Sequence, residues 1–165
     1  MSVAERISLQ EMFVVLLRII VGCVFIFASI DKISDPQAFA ASINNYRIIS
    51  GSVALLVATI LPWVELLSGL GVLLGVFARG SAFLTLTMLV AFTALVLSAM
   101  FRGLDISCGC FTQDPAAGKI GWMKIGENAI LVLMNVLVFR APEHRYSIER
   151  LFQSRLPARS KSSVV

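Results

Sequence analysis

Charge and histidine are what this chain has least of. Only 15% of its 165 residues are Asp, Glu, Lys or Arg, and His144 is its single histidine. One histidine leaves no Ser-His-Asp triad to assemble. There is also no glycine-rich phosphate loop, so hydrolase and nucleotide chemistry are excluded on residue supply. Cysteine is scarce as well, with three in all, and no His/Cys cluster completes a metal site. Low-complexity tracts are absent before the Ser-rich end at Ser160–Ser163, and no period of 20–50 residues marks a repeat array. What fills the chain is apolar: 58% of residues are hydrophobic and the mean hydropathy is +0.87. A water-soluble domain of this length cannot hide so much apolar surface, so the solvent is lipid.

Four apolar runs approach the roughly 20 residues that cross a bilayer. They span about 12–30, 53–77, 81–101 and 122–139. Backbone in hydrocarbon must satisfy its own hydrogen bonds, and the runs are too long for barrel strands, so all four read as helices. The expected fold is all-α, an integral membrane four-helix bundle occupying residues 1–146, followed by a basic tail, 147–165. Ala38-Phe39-Ala40 has the look of a signal cleavage site, but Asp31, Lys32 and Asp35 separate it from the first run. That run is read as a retained helix.

The formal charge is +4 and the pI about 9.3, but the excess sits in Arg140, Arg145, Arg150, Arg155, Arg159 and Lys161. A basic tail beside anionic lipid explains it, and nucleic acid is not implied. With both termini inside, Arg6, Arg79 and the six tail residues give eight cytoplasmic cations; Lys32, Arg47, Arg102, Lys119 and Lys124 give five outside. The asymmetry predicts cytoplasmic termini in a bacterial inner membrane. In the tail, Ile148, Leu151, Phe152 and Leu156 suit a short amphipathic helix.

The connection between the third and fourth runs then faces outward, where disulfides persist. It carries Cys108-Gly109-Cys110. A Cys-x-Cys disulfide closes a very small ring, and Gly109 tolerates the sharp turn that this needs. Strain makes such a bond easy to reduce, which favours a redox pair. The alternatives are a metal ligand pair or two unpaired thiols. Cys23, inside the first span, reads as a small buried residue or a resolving thiol.

Glu65 falls near the middle of the second span, where a carboxylate is costly and must face the bundle interior. It reads as a proton relay or binding group, or as half of a structural ion pair with Arg18 or Lys32. Arg18 taken alone reads as a snorkelling side chain. Pro62 is expected to bend its helix. Gly71-x-x-x-Gly75 fits close helix packing. Asn128 and Asn135, seven apart, share a face and suit interhelical hydrogen bonds.

Together these residues resemble the methylamine-utilisation protein MauE family, within the wider DoxX-like group of four-helix membrane proteins. Arg18, Lys32, Asp35-Pro36, Tyr46, Leu61-Pro62, Glu65, Gly69 to Gly75, Asp105, Cys108-Gly109-Cys110-Phe111, Trp122 and Asn128 carry the likeness, over roughly residues 16–139. The resemblance implies a role in processing, export or maturation of the small subunit of methylamine dehydrogenase, a periplasmic, disulfide-rich client. On that reading Cys108 and Cys110 exchange electrons with a periplasmic thioredoxin-like protein or a membrane quinone, and Glu65 serves as a proton relay. A non-catalytic assembly factor and a DoxX-type respiratory subunit are the alternatives.

Overall fold

A computed structural model of the chain describes residues 3–104 and 122–141, with the side chains of Leu9 and of Met12 onward. Five helices follow in order: α1 Val3–Ser34, α2 Pro36–Asn45, α3 Ser52–Leu74, α4 Ala78–Phe101 and α5 Trp122–Arg140. All four of the longer helices are long and apolar enough to cross a membrane, and no strand occurs among the described residues. In space α1 packs on α3 and α5, and α4 packs on α3 and α5, closing a four-helix ring. Short α2 lies against α3.

The burial pattern is that of a protein dissolved in lipid. Large apolar side chains such as Phe27, Leu67, Phe83, Ile130 and Leu133 are exposed. The interior holds small residues, Ala54, Ala58, Ala82 and Ala99, together with Arg18, Ser29, Lys32, Ser68, Thr85, Asn128 and Asn135. In lipid, burying Leu and Phe gains little, so packing and interhelical polar contacts take over. This is a multi-pass membrane protein. Its buried hydroxyls are satisfied locally: Ser29 donates to the Ile26 carbonyl at 2.7 Å, and Ser68 to that of Glu65 at 3.1 Å.

Helix boundaries depart from the apolar runs where local chemistry intervenes. α1 runs to Ser34, well beyond residue 30, which carries Lys32 on its last turn. The second run extends to Phe77, but α3 stops at Leu74 because Gly75 adopts the left-handed conformation (φ 73°) and its N–H bonds the Gly71 carbonyl at 2.9 Å. α3 continues through Pro62, which is fully buried. Hydropathy did not reveal α2. Asp35 starts it by accepting a hydrogen bond from the Ala38 N–H at 2.9 Å, with Pro36 in the first turn. Phe39 and Ala40 then pack on Ala58, with Ile43 and Leu61 around them.

Backbones approach most closely at Gly22 of α1 and Gly69 of α3. A Cβ on Gly22 would stand 2.8 Å from the Leu73 Cβ and 3.0 Å from the Gly69 carbonyl oxygen. One on Gly69 would stand 2.9 Å from the Phe25 Cβ. The Gly71-x-x-x-Gly75 spacing does not form a single seam. Gly71 makes room for Ser81 of α4, and Gly75 ends its helix against Arg18.

Candidate functional site: a buried ion pair beside a cavity

Lys32 and Glu65 come together across α1 and α3. The ammonium donates to both carboxylate oxygens, at 2.9 Å and 2.7 Å, and the side chains are only 8% and 13% exposed. α2 closes over the pair, with the Phe39 ring centroid 5.2 Å from Lys32 Nζ. Burying two charges is costly, and close paired geometry is what offsets it. Glu65 therefore has Lys32 as its partner, and Arg18 is elsewhere.

Arg18 is 6% exposed and does not snorkel. Its Nε donates to the Val72 carbonyl at 2.9 Å, and its guanidinium lies against Gly75. The last carbonyls of a helix lack intrahelical partners and carry partial negative charge, so a cation there both caps and neutralises the end of α3. Sequence reasoning missed this because the acceptor is a backbone atom 54 residues away.

A cavity of about 70 Å³, in which the centre of a water molecule can sit, adjoins the ion pair. Its walls are Val24, Phe25 and Ala28 of α1, Met88, Leu89 and Phe92 of α4, and Leu131 of α5. Three polar residues reach it: Lys32, Glu65 and Asn128. Asn128 donates to the Thr93 hydroxyl at a long 3.4 Å, and Thr93 in turn donates to the Leu89 carbonyl at 2.7 Å. Deeper in the bundle Asn135 donates to Thr85 at 2.8 Å. The two asparagines thus bond one neighbour, α4, as their spacing predicts.

All of this polar chemistry except the Arg18 cap and the Asn135 contact lies toward one end of the bundle. That is the end where α1 finishes, α2 sits, α4 finishes and α5 begins. Arg102, just beyond α4, donates to the Tyr46 carbonyl at 2.8 Å and ties that end together. Burial pushes the Tyr46 phenol up to about 12. Asp31 Oδ2 is enclosed there with no hydrogen-bond partner among the described residues, a feature that the sequence did not signal. Cys23 is a free thiol, half-buried rather than buried. Cys108, Gly109 and Cys110 lie outside the described residues, as does the tail 147–165; the cysteine connection leaves after Leu104 and rejoins at Trp122.

This layout, with a cation and a carboxylate facing each other beneath a short capping helix, can be set against known proteins. The profile described as Methylamine utilisation protein MauE matches residues 10–141. The chain belongs to the MauE family. The Methylamine utilization protein MauE of Paracoccus denitrificans is 25% identical over 131 residues, 79% of this chain and 70% of the relative. That of Methylorubrum extorquens AM1 is 33% identical over 107 residues, covering 64% and 57%. That of Paracoccus versutus is 27% identical over 119 residues, covering 72% and 63%. The chain thus spans between 57% and 70% of the length of these MauE relatives. No solved structure matches the chain.

Proposed function

We propose that this MauE-family protein acts in methylamine utilisation as a thiol-redox maturation factor of the bacterial inner membrane. Both termini lie in the cytoplasm, and Cys108-Gly109-Cys110 faces the periplasm. Its client is the methylamine dehydrogenase small subunit. The Cys108–Cys110 disulfide accepts a client thiolate, one sulfur leaves, and the resulting mixed disulfide is resolved by the client's second thiolate. The client gains a disulfide, and the protein is left with two thiols. A periplasmic thioredoxin-like protein or a membrane oxidant then takes the electron pair and two protons.

The observation that carries this reading is the position of the Lys32–Glu65 pair. An acid–base couple 2.7 Å apart sits beside a cavity at the bundle end from which the cysteine connection departs and to which it returns. Thiol oxidation releases protons, and a buried, ionisable pair close to the exit of that connection is suited to carry them. A bundle that served only to hold a client would have no use for an ionisable pair at that place.

Single changes Cys108→Ser and Cys110→Ser should each block client maturation as fully as the double change, while membrane levels stay normal. The remaining cysteine should trap its partner as a mixed disulfide on a non-reducing gel. Cys23→Ser should be mild. Normal dehydrogenase assembly with either single variant would remove the thiol mechanism and leave an assembly scaffold in its place.

A further inference from the structure

We infer that the cavity between α1, α4 and α5 binds the head of a membrane-soluble quinone. This deepens the thiol-redox reading above and rests on it for its physiological role, though the binding itself does not. The argument starts from size. Water needs about 10–15 Å³ of such space and occupies about 30 Å³ of liquid, so about 70 Å³ accommodates roughly five waters. That is the room of one six-membered ring with small substituents.

Chemistry narrows the occupant. Val24, Phe25, Met88 and Phe92 suit an apolar, polarisable ring and disfavour a cluster of waters. Asn128 spends one amide hydrogen on a weak 3.4 Å contact with Thr93, which leaves the other for a ring carbonyl. Lys32 and Glu65 complete the polar side of the wall. A ligand with an apolar body and a hydrogen-bond-accepting oxygen satisfies all three polar residues; a hydrocarbon chain satisfies none.

Electron balance selects a quinone among such ligands. When Cys108 and Cys110 return to the disulfide, two S–H bonds break, one S–S bond forms, and two electrons and two protons leave. A quinone takes up both pairs and becomes a quinol, with two O–H bonds formed. Lys32 and Glu65 offer one ammonium and one carboxylate at the cavity wall through which protons reach the ring oxygens.

The test uses the full chain in lipid nanodiscs, titrated with a decyl-substituted benzoquinone and read by calorimetry. Saturable binding is expected for the wild type and for the Cys108→Ser/Cys110→Ser double variant. Ala28→Phe, which fills the cavity, should abolish it. Asn128→Leu should weaken it about tenfold, as loss of one buried hydrogen bond predicts. Mono-oleoylglycerol, a lipid with comparable chain and carbonyl, should not compete. Absence of saturable binding, binding indifferent to both cavity variants, or equal competition by the lipid would overturn the assignment. Should Ala28→Phe fail to fold, Asn128→Leu decides alone. Quinone binding that survives while client maturation is indifferent to the cysteines would refute the thiol function and leave the cavity assignment intact.

Discussion

Arg18 and Lys32 face the same problem and solve it differently. Both are cations on α1, both are less than a tenth exposed, and about 21 Å of helix separates them, at about 1.5 Å per residue. Arg18 is met by a backbone carbonyl and a glycine. Those acceptors cannot change charge, so the contact is fixed for the life of the fold. Lys32 is met by a carboxylate, which can take a proton, and it adjoins a cavity under a short helix. One end of the bundle is therefore a structural lock and the other a site with two charge states. The difference teaches that burial of a charge does not identify function in a membrane protein; the nature of its partner does.

The largest test of that contrast is Lys32→Met. It leaves Glu65 buried without its cation, which should cost about 3–5 kcal/mol and deplete the membrane-inserted protein. Lys32→Met with Glu65→Met removes both charges, and it should restore the protein level, since buried ion pairs replaced by apolar residues are often neutral. Client maturation should stay absent in the double variant. Immunoblots of membranes and an assay of dehydrogenase assembly read the two effects separately. A double variant with full activity would place Lys32–Glu65 in the same structural class as Arg18.

At the opposite end, Gly75→Ala forces a side chain into the left-handed region, at about 1–3 kcal/mol, and drives it into the Arg18 guanidinium. Arg18→Met loses the bond to Val72, worth about 1.5–3 kcal/mol for a charged donor. Each should lower the melting temperature in detergent, and neither should alter thiol chemistry in the surviving protein. Because Gly75→Ala already displaces Arg18, the two effects combined should fall short of their sum. Full additivity would mean that the two residues do not act as one unit.

How much of this was legible in the sequence follows the same division. The four spans were readable because lipid demands long apolar helices, and hydropathy measures that demand directly. Glu65 declared itself as a charge in a span, and Lys32 was one of its two candidate partners. Helix ends were not readable from hydropathy, since Gly75 stops α3 while the residues around it, up to Phe77, stay apolar. α2 escaped because ten residues of mixed polarity carry no membrane signal, although Asp35-Pro36 is a helix start that a capping argument could have used. The role of Arg18 was out of reach, because its acceptor is a main-chain carbonyl that no side-chain pattern encodes. Gly22 and Gly69 were overlooked for a related reason: each is ordinary alone, and only the fold brings them face to face.

The smallest effect concerns how dry the Lys32 end is. Tyr46 closes α2 at that end, and burial raises its phenol from 10.0 to about 12. A raised folded value means that the folded state holds its proton more tightly than the unfolded chain does. The associated stabilisation is fully present below pH 10 and is lost as pH rises from 10 toward 12. Ultraviolet titration of the protein in detergent should therefore show one phenol that resists ionisation past pH 11, and Tyr46→Phe should remove that late step. The protein's other tyrosine, Tyr146, serves as the internal reference. If Tyr46 ionised near 10, water would reach the residue that seals α2. The cap over Lys32 and Glu65 would then be open to solvent, and the contrast between a wet, convertible site and a dry one would have to be redrawn in favour of free proton exchange with bulk water.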